Sequence, residues 1–168
     1  MWIGESFVGS GANVAHINVF VGPRDGPVGA AQVAGMSSPS MGYIPFMAVL
    51  RPNLPAKPAT LFVNKVDLRG ESHESMTFGP AQAGVARGVQ EAYDREILPE
   101  EAADGWSVIA CVYVTAEADD PDAVYENNHR ACFEAIERAM SSQPNVEELK
   151  EAAKSPFNPF YTPPASRT

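Results

Sequence analysis

The chain has 168 residues, 45% hydrophobic and 20% charged, which fits one globular domain and excludes disorder along the whole length, because the apolar surface offsets the entropy of ordering. Twelve Lys and Arg against 21 Asp and Glu give a net charge of −9. That balance argues against nucleic acid and against an anionic membrane as partners, since both demand a basic footprint.

The longest apolar runs, such as Val108–Val114, fall well short of the roughly 20 residues of a spanning helix. Residues Met1–Ser10 lack the basic and apolar regions of an export signal, so a cytoplasmic location is expected. Cys111 and Cys132 lack the close spacing of a redox pair or a zinc motif and are expected to be free, buried thiols.

Glu5–Val8 reads as a short extended piece, followed by a turn at Gly9-Ser10-Gly11-Ala12-Asn13 and a strand over Val14–Val21. Gly22–Pro27 is a turn cluster, Val28–Met36 a short Ala-rich helix and Ser37–Pro45 a polar loop. Phe46–Leu50 is a strand. It runs into Arg51–Pro58, whose three prolines are expected to prevent regular pairing. Thr60–Leu68 is a further strand. Pro80–Ile97 is a helix with Val85, Val89, Ala92, Tyr93 and Ile97 on one stripe. Gly84 and Gly88, four apart within it, predict close approach of another backbone.

Ser107–Thr115 is a strand. Asp120 then caps a helix over Pro121–Met140, with proline at its first position. The expected inner stripe is His129, Cys132, Phe133, Ile136 and Met140. Val146–Ala153 is a short last helix. Residues 1–154 therefore form the domain, and Ser155–Thr168 a tail rich in proline and aromatic residues. The order β-β-α-β-β-α-β-α, with strands in adjacent pairs, predicts an α+β fold: a two-layer antiparallel sheet backed by helices on one face.

Alternation along Val14–Val21 separates Ala15, Ile17, Val19 and Val21, a wholly apolar face, from Val14, His16, Asn18 and Phe20. His16 and Asn18 thus stand away from the helical core, on a face suited to a cleft or a subunit contact; an ordinary exposed strand histidine is the competing reading. His16, His73 and His129 show no ligand spacing, so no metal is expected. His73 is expected to be solvated in a polar loop and His129 to lie on a helix stripe. Alternation also puts Lys65 and Asp67 on one face of their strand, as a surface pair or a polar wall. Gln82 falls in the first turn of its helix, where its amide offers both a donor and an acceptor.

Several segments taken together resemble the formaldehyde-activating enzyme family. They are Gly4-Glu5-Ser6-Phe7-Val8-Gly9, Asn13-Val14-Ala15-His16-Ile17, Gly22-Pro23-Arg24, Pro52–Pro58, Asn64-Lys65-Val66 and Phe78-Gly79-Pro80-Ala81-Gln82, in order and at family-like spacing. The resemblance implies the ribosomal protein S5 domain 2-like fold and a homopentamer with sites between subunits. It also implies condensation of formaldehyde with tetrahydromethanopterin as co-substrate, giving methylene-tetrahydromethanopterin and water. His16 matches the family's proton donor, Lys65 and Gln82 match its cofactor-contacting positions in kind, and Asn18, Met47 and Asp67 stand at further such positions. An imidazole with a pKa near ~6.5 suits the role, because it donates a proton and is recharged at neutral pH.

Three of these positions depart from the family pattern. Asn18 stands where Asp is usual, Asp67 where Thr is usual and Met47 where Leu is usual. Without a carboxylate at position 18, the pKa of His16 is expected to fall. The alternative is a paralogue that binds a pterin or carbonyl compound, or senses formaldehyde, with little or no turnover. Arg51, Lys57 and Lys65 are the cations expected to hold the acidic groups of the co-substrate against the net charge.

Overall fold

Side-chain alternation in the second strand divides the molecule into two sides. The computed structural model describes residues 1–163 and places Ala15–Pro23 in strand β2. Ala15, Ile17, Val19 and Val21 are fully buried on one face, while His16, Asn18 and Phe20 are half-buried on the other. β2 pairs antiparallel with β1 (Trp2–Val8) and with the strand Trp106–Tyr113.

Numbered in chain order, the remaining strands are β3 (Phe46–Met47), β4 (Val49–Arg51), β5 (Leu54–Pro55) and β6 (Ala59–Asn64), which makes Trp106–Tyr113 β7. The main sheet has the order β1-β2-β7-β6-β3. The expected α+β class, a sheet backed by helices, is present. One pairing differs from a purely antiparallel sheet: β6 and β7 run parallel. Parallel neighbours require a long crossover, and the helical segment between β6 and β7 supplies it.

That crossover contains α2 (Gly70–Met76), one π-helical turn (Thr77–Ala81), α3 (Gln82–Asp94) and α4 (Ala102–Gly105). The helix expected over Pro80–Ile97 is thus the second part of a longer helical run. Pro80 has no N–H to donate and falls in the widened turn. The strand expected over Thr60–Leu68 stops at Asn64, whose amide donates to Gly42 O and Val66 O, both at 2.6 Å, and bends the chain away. The prolines of Arg51–Pro58 prevent regular pairing as expected, and leave only a short ribbon whose register shifts between Val49 and Arg51. Leu54–Pro55 joins Val49–Arg51 in a separate two-stranded ribbon, where a proline is tolerated because an edge position leaves its missing donor unneeded.

α3 and α5 (Pro121–Met140) cover the buried sheet face. Asp120 caps α5 as expected, its Oδ1 accepting from Asp122 N (3.0 Å) and Ala123 N (3.1 Å). The two glycines of α3 meet the backbone of α5: a Cβ on Gly84 would lie 2.4 Å from Tyr125 O, and one on Gly88 2.7 Å from His129 O. The expected α5 stripe faces inward, with Phe133 and Met140 partly buried against the core, but the covered surface is broader. Cys132 and Ile136 are buried, but so are Val124, Asn128, Ala131, Ala135 and Ala139. The helix is wedged between the sheet and α3, so two of its faces are covered, and Ala135 and Ala139 line its approach to Gly4 of β1.

Helical cover is not confined to one face. α1 (Pro27–Met36) crosses the outer face, where Val28 packs on Leu61 and Ile109 beside Phe20 and Met47. Gln32 anchors it, donating to Ala59 O (2.8 Å) and accepting from Ser107 Oγ (2.8 Å). α6 (Val146–Ala152) follows α5 and carries a capping box between Asn145 and Glu148. The chain then returns to the uncovered half of the outer face, where Phe160 meets Tyr113 edge-on at 6.4 Å between ring centroids. Among the described residues, no helix is long and apolar enough to cross a membrane.

Candidate active site

Strand register brings the chemistry-bearing residues together on the open half of the outer face. Phe7, His16 and Tyr113 are matched across β1, β2 and β7, and Glu5, Asn18, Cys111 and Val63 form the next row. His16 Nε2 lies 3.0 Å from Glu5 Oε1. The Phe7 ring is tilted against the imidazole at 5.8 Å. Lys65 continues the β6 ladder through its backbone N–H to Val112 O (2.8 Å). Its Nζ crosses β7 to donate to His16 O at 3.1 Å.

Burial and charge act together on this cluster. Partial burial lowers the pKa of His16, the Lys65 ammonium lowers it further, and the Glu5 carboxylate opposes both. The direction is the one expected from Asn18, but the causes are burial and Lys65. Burial likewise lowers the pKa of Lys65, against the pull of Cys111 and Glu5. The Cys111 thiol is pushed up by burial. Both cysteines are free, Cys132 fully buried and Cys111 only partly so.

The six predicted positions do not all meet in one chain. His16, Asn18 and Lys65 share the open half of the outer face. Met47 lies on the same face farther along, paired with Leu61 in the apolar patch under α1. Asp67 is not on a strand with Lys65. Beyond the bend at Asn64, its carboxylate packs against Gly42 and lines a separate hollow of about 190 Å³ with Arg69, His73 and Tyr113. Gln82 lies in the helical layer behind the sheet. It is buried, and its Oε1 accepts from Val49 N at 2.5 Å, which commits the oxygen to holding the β4 ribbon and leaves the amide nitrogen for other contacts.

Of the two other histidines, only His73 departs from expectation. His73 is not solvated: it is buried on α2, with Nδ1 accepting from Arg69 N (3.1 Å) and Nε2 3.0 Å from Val114 O. That geometry suits the Nε2–H tautomer. His129 bridges α5 to Glu91 of α3, and Arg95 pairs with the same carboxylate. The expected cation group is not formed. Lys57, two residues before β6, pairs with Asp104, while Lys65 follows the opposite end of that strand.

Glu5 joins the site only through the fold. The signal was present in its placement two residues before Phe7, within Gly4–Gly9, but pairing with His16 depends on strand register. A cavity of about 520 Å³ lies between Glu5, Phe7 and His16 on one side and residues 157–160 on the other. Among the described residues, no group of three or more His, Cys, Asp or Glu is arranged to hold a metal ion.

These features define an α+β protein whose titratable groups gather on an open sheet face, beside a cavity of small-molecule size. The chain belongs to the formaldehyde-activating enzyme family, whose model matches residues 3–161. It is 45% identical over 158 residues to the 5,6,7,8-tetrahydromethanopterin hydro-lyase of Methanosarcina barkeri, covering 92% of this chain and 89% of that protein. It is 42% identical over 147 residues to a bifunctional enzyme Fae/Hps of Methanocella arvoryzae and 38% identical over 158 residues to that of Archaeoglobus fulgidus. Those matches cover 88% and 94% of this chain, but only 37% and 40% of the bifunctional proteins.

Proposed function

We propose that the chain condenses formaldehyde with tetrahydromethanopterin, forming methylene-tetrahydromethanopterin and water, with His16 as general acid. The observation that carries this reading is His16 itself: a half-buried imidazole at a cavity, held by Glu5 and flanked by Lys65. A pterin nitrogen adds to the carbonyl carbon of formaldehyde to give a carbinolamine. Departure of its hydroxyl as water takes a proton from His16, and the resulting iminium carbon is closed by the second nitrogen, which releases a proton that recharges the imidazole. The spontaneous reaction is already feasible, so holding the reactants together beside one acid is a sufficient catalytic strategy. Lys65, with Asn18 and Met47 on the same face, contacts the co-substrate in this reading.

Gln82 and Asp67 enter through assembly. His16 and Gln82 lie on opposite sides of the sheet, so one ligand touching both has to bridge two copies of the chain. A cytoplasmic homopentamer with sites at subunit seams, on an S5 domain 2-like fold, meets that demand. The test is the rate of methylene-tetrahydromethanopterin formation against the spontaneous rate, for the wild type and His16→Ala. Acceleration by the wild type, lost in the variant, is expected. Co-substrate binding at the background rate supports the alternative of a binding or formaldehyde-sensing paralogue, for which Asn18 and Asp67 speak.

A further inference from the structure

The aromatic C-terminal segment is the one prominent sequence feature that the proposed reaction leaves unused. Phe157, Phe160 and Tyr161 are 77%, 79% and 56% exposed, three large rings within five residues of an acidic chain. The segment has its own local structure. Asn158 and Tyr161 exchange two backbone hydrogen bonds, at 2.9 and 3.0 Å, and Asn158 Oδ1 accepts from Phe160 N at 2.9 Å. This turn fixes the two phenylalanines on either side of Asn158 and Pro159. Phe160 also rests edge-on against Tyr113, the β7 neighbour of His16.

The turn forms one wall of the 520 Å³ cavity, and His16 with Phe7 forms the other. A volume of this order suits a drug-sized organic ligand. Formaldehyde, with two heavy atoms, fills little of it. Aromatic walls favour a flat ring system, because every such ring has a face on which a phenyl side chain stacks. Stacking also does not depend on charge, which matters for a polyanionic ligand approaching a chain of net charge −9.

We infer that Phe157 and Phe160 are specificity-determining contacts of the co-substrate site, receiving the planar pyrimidine ring of the reduced pterin against the His16 face. The inference rests on the proposed function for the identity of that ligand. It assigns the tail a binding role within one chain, distinct from packing a seam against a second copy.

The test uses the full chain with Phe157→Ala and Phe160→Ala combined. The readouts are the Kd for tetrahydromethanopterin alone, the KM for each substrate and the mass of the assembly in solution. Because both rings are largely exposed, the variant is expected to fold. Stacking on aromatic rings predicts that the co-substrate Kd and KM rise by about tenfold or more, while the KM for formaldehyde and the assembly mass stay unchanged. Phe157→Tyr with Phe160→Tyr is expected to restore binding. A co-substrate Kd within about twofold of the wild type overturns the inference, and so does a loss of affinity accompanied by a change in assembly mass, which makes the tail a subunit seam. A wild type that binds the co-substrate without accelerating condensation overturns the proposed reaction instead, and the Kd comparison still judges the tail.

Discussion

The carboxylate that serves His16 comes from the neighbouring strand: Nε2 lies 3.0 Å from Glu5 Oε1, while Asn18, two residues along β2, faces Glu5 across the ladder. Position 18 therefore does not decide whether the histidine has an acidic partner. Glu5 opposes the burial and the Lys65 charge that together lower the pKa of His16. A histidine with a lowered pKa is neutral over more of the physiological range. A step needing its proton slows as pH rises through a value below the usual ~6.5.

Glu5→Gln removes the upward influence. The pKa of His16, followed by NMR titration of its ring protons, is expected to fall further, and the alkaline fall-off in condensation rate to move to lower pH with it. Lys65→Met removes the opposing charge and is expected to move the same titration upward. Shifts of the reverse sign would contradict the assignment of Glu5 and Lys65 as the flanking charges.

Asn18→Asp adds a carboxylate beside His16 but directly opposite Glu5. The titration of His16 is expected to move up, toward protonation at neutral pH. Like charges across strands destabilise, so urea denaturation is expected to register a loss of about 0.2–1 kcal/mol. The rate of condensation at pH 7, compared with the wild type, measures whether the larger protonated fraction is useful.

Gly88→Ala tests the contact between α3 and α5. The added Cβ would sit 2.7 Å from His129 O and 2.8 Å from Cys132 Cβ, so the helices have to separate. Overpacking of this kind costs about 1–3 kcal/mol, read as a lower denaturation midpoint with little change in its slope. A neutral result would mean that the helix pair is not closely packed.

Thiol labelling distinguishes the two cysteines. Burial pushes the Cys132 thiol up to about 12, and only the thiolate is nucleophilic. Native protein is expected to leave Cys132 unlabelled by iodoacetamide until it is denatured. Cys111, partly exposed but also raised, is expected to react more slowly than a free thiol.

Local patterns in the chain determined much of this protein. Alternation along residues 14–21 separated the buried face from the face of His16 and Asn18, because strand side chains alternate whatever the partners. Asp120-Pro121 marked the start of α5, and Gly84 with Gly88 announced a close helix contact, since each depends only on nearby geometry. The ordered segments from Gly4 to Gln82 pointed to the family that the comparisons establish. Tertiary structure decided what depends on register and on connections distant in sequence. It set Glu5 beside His16, turned β6 parallel to β7, sent α1 across the outer face, and buried His73 under Val114 O. It also parted Asp67 from Lys65 and put Gln82 behind the sheet. Each of these rests on where one segment meets another, and a neighbour in space leaves no periodic mark in the sequence that meets it.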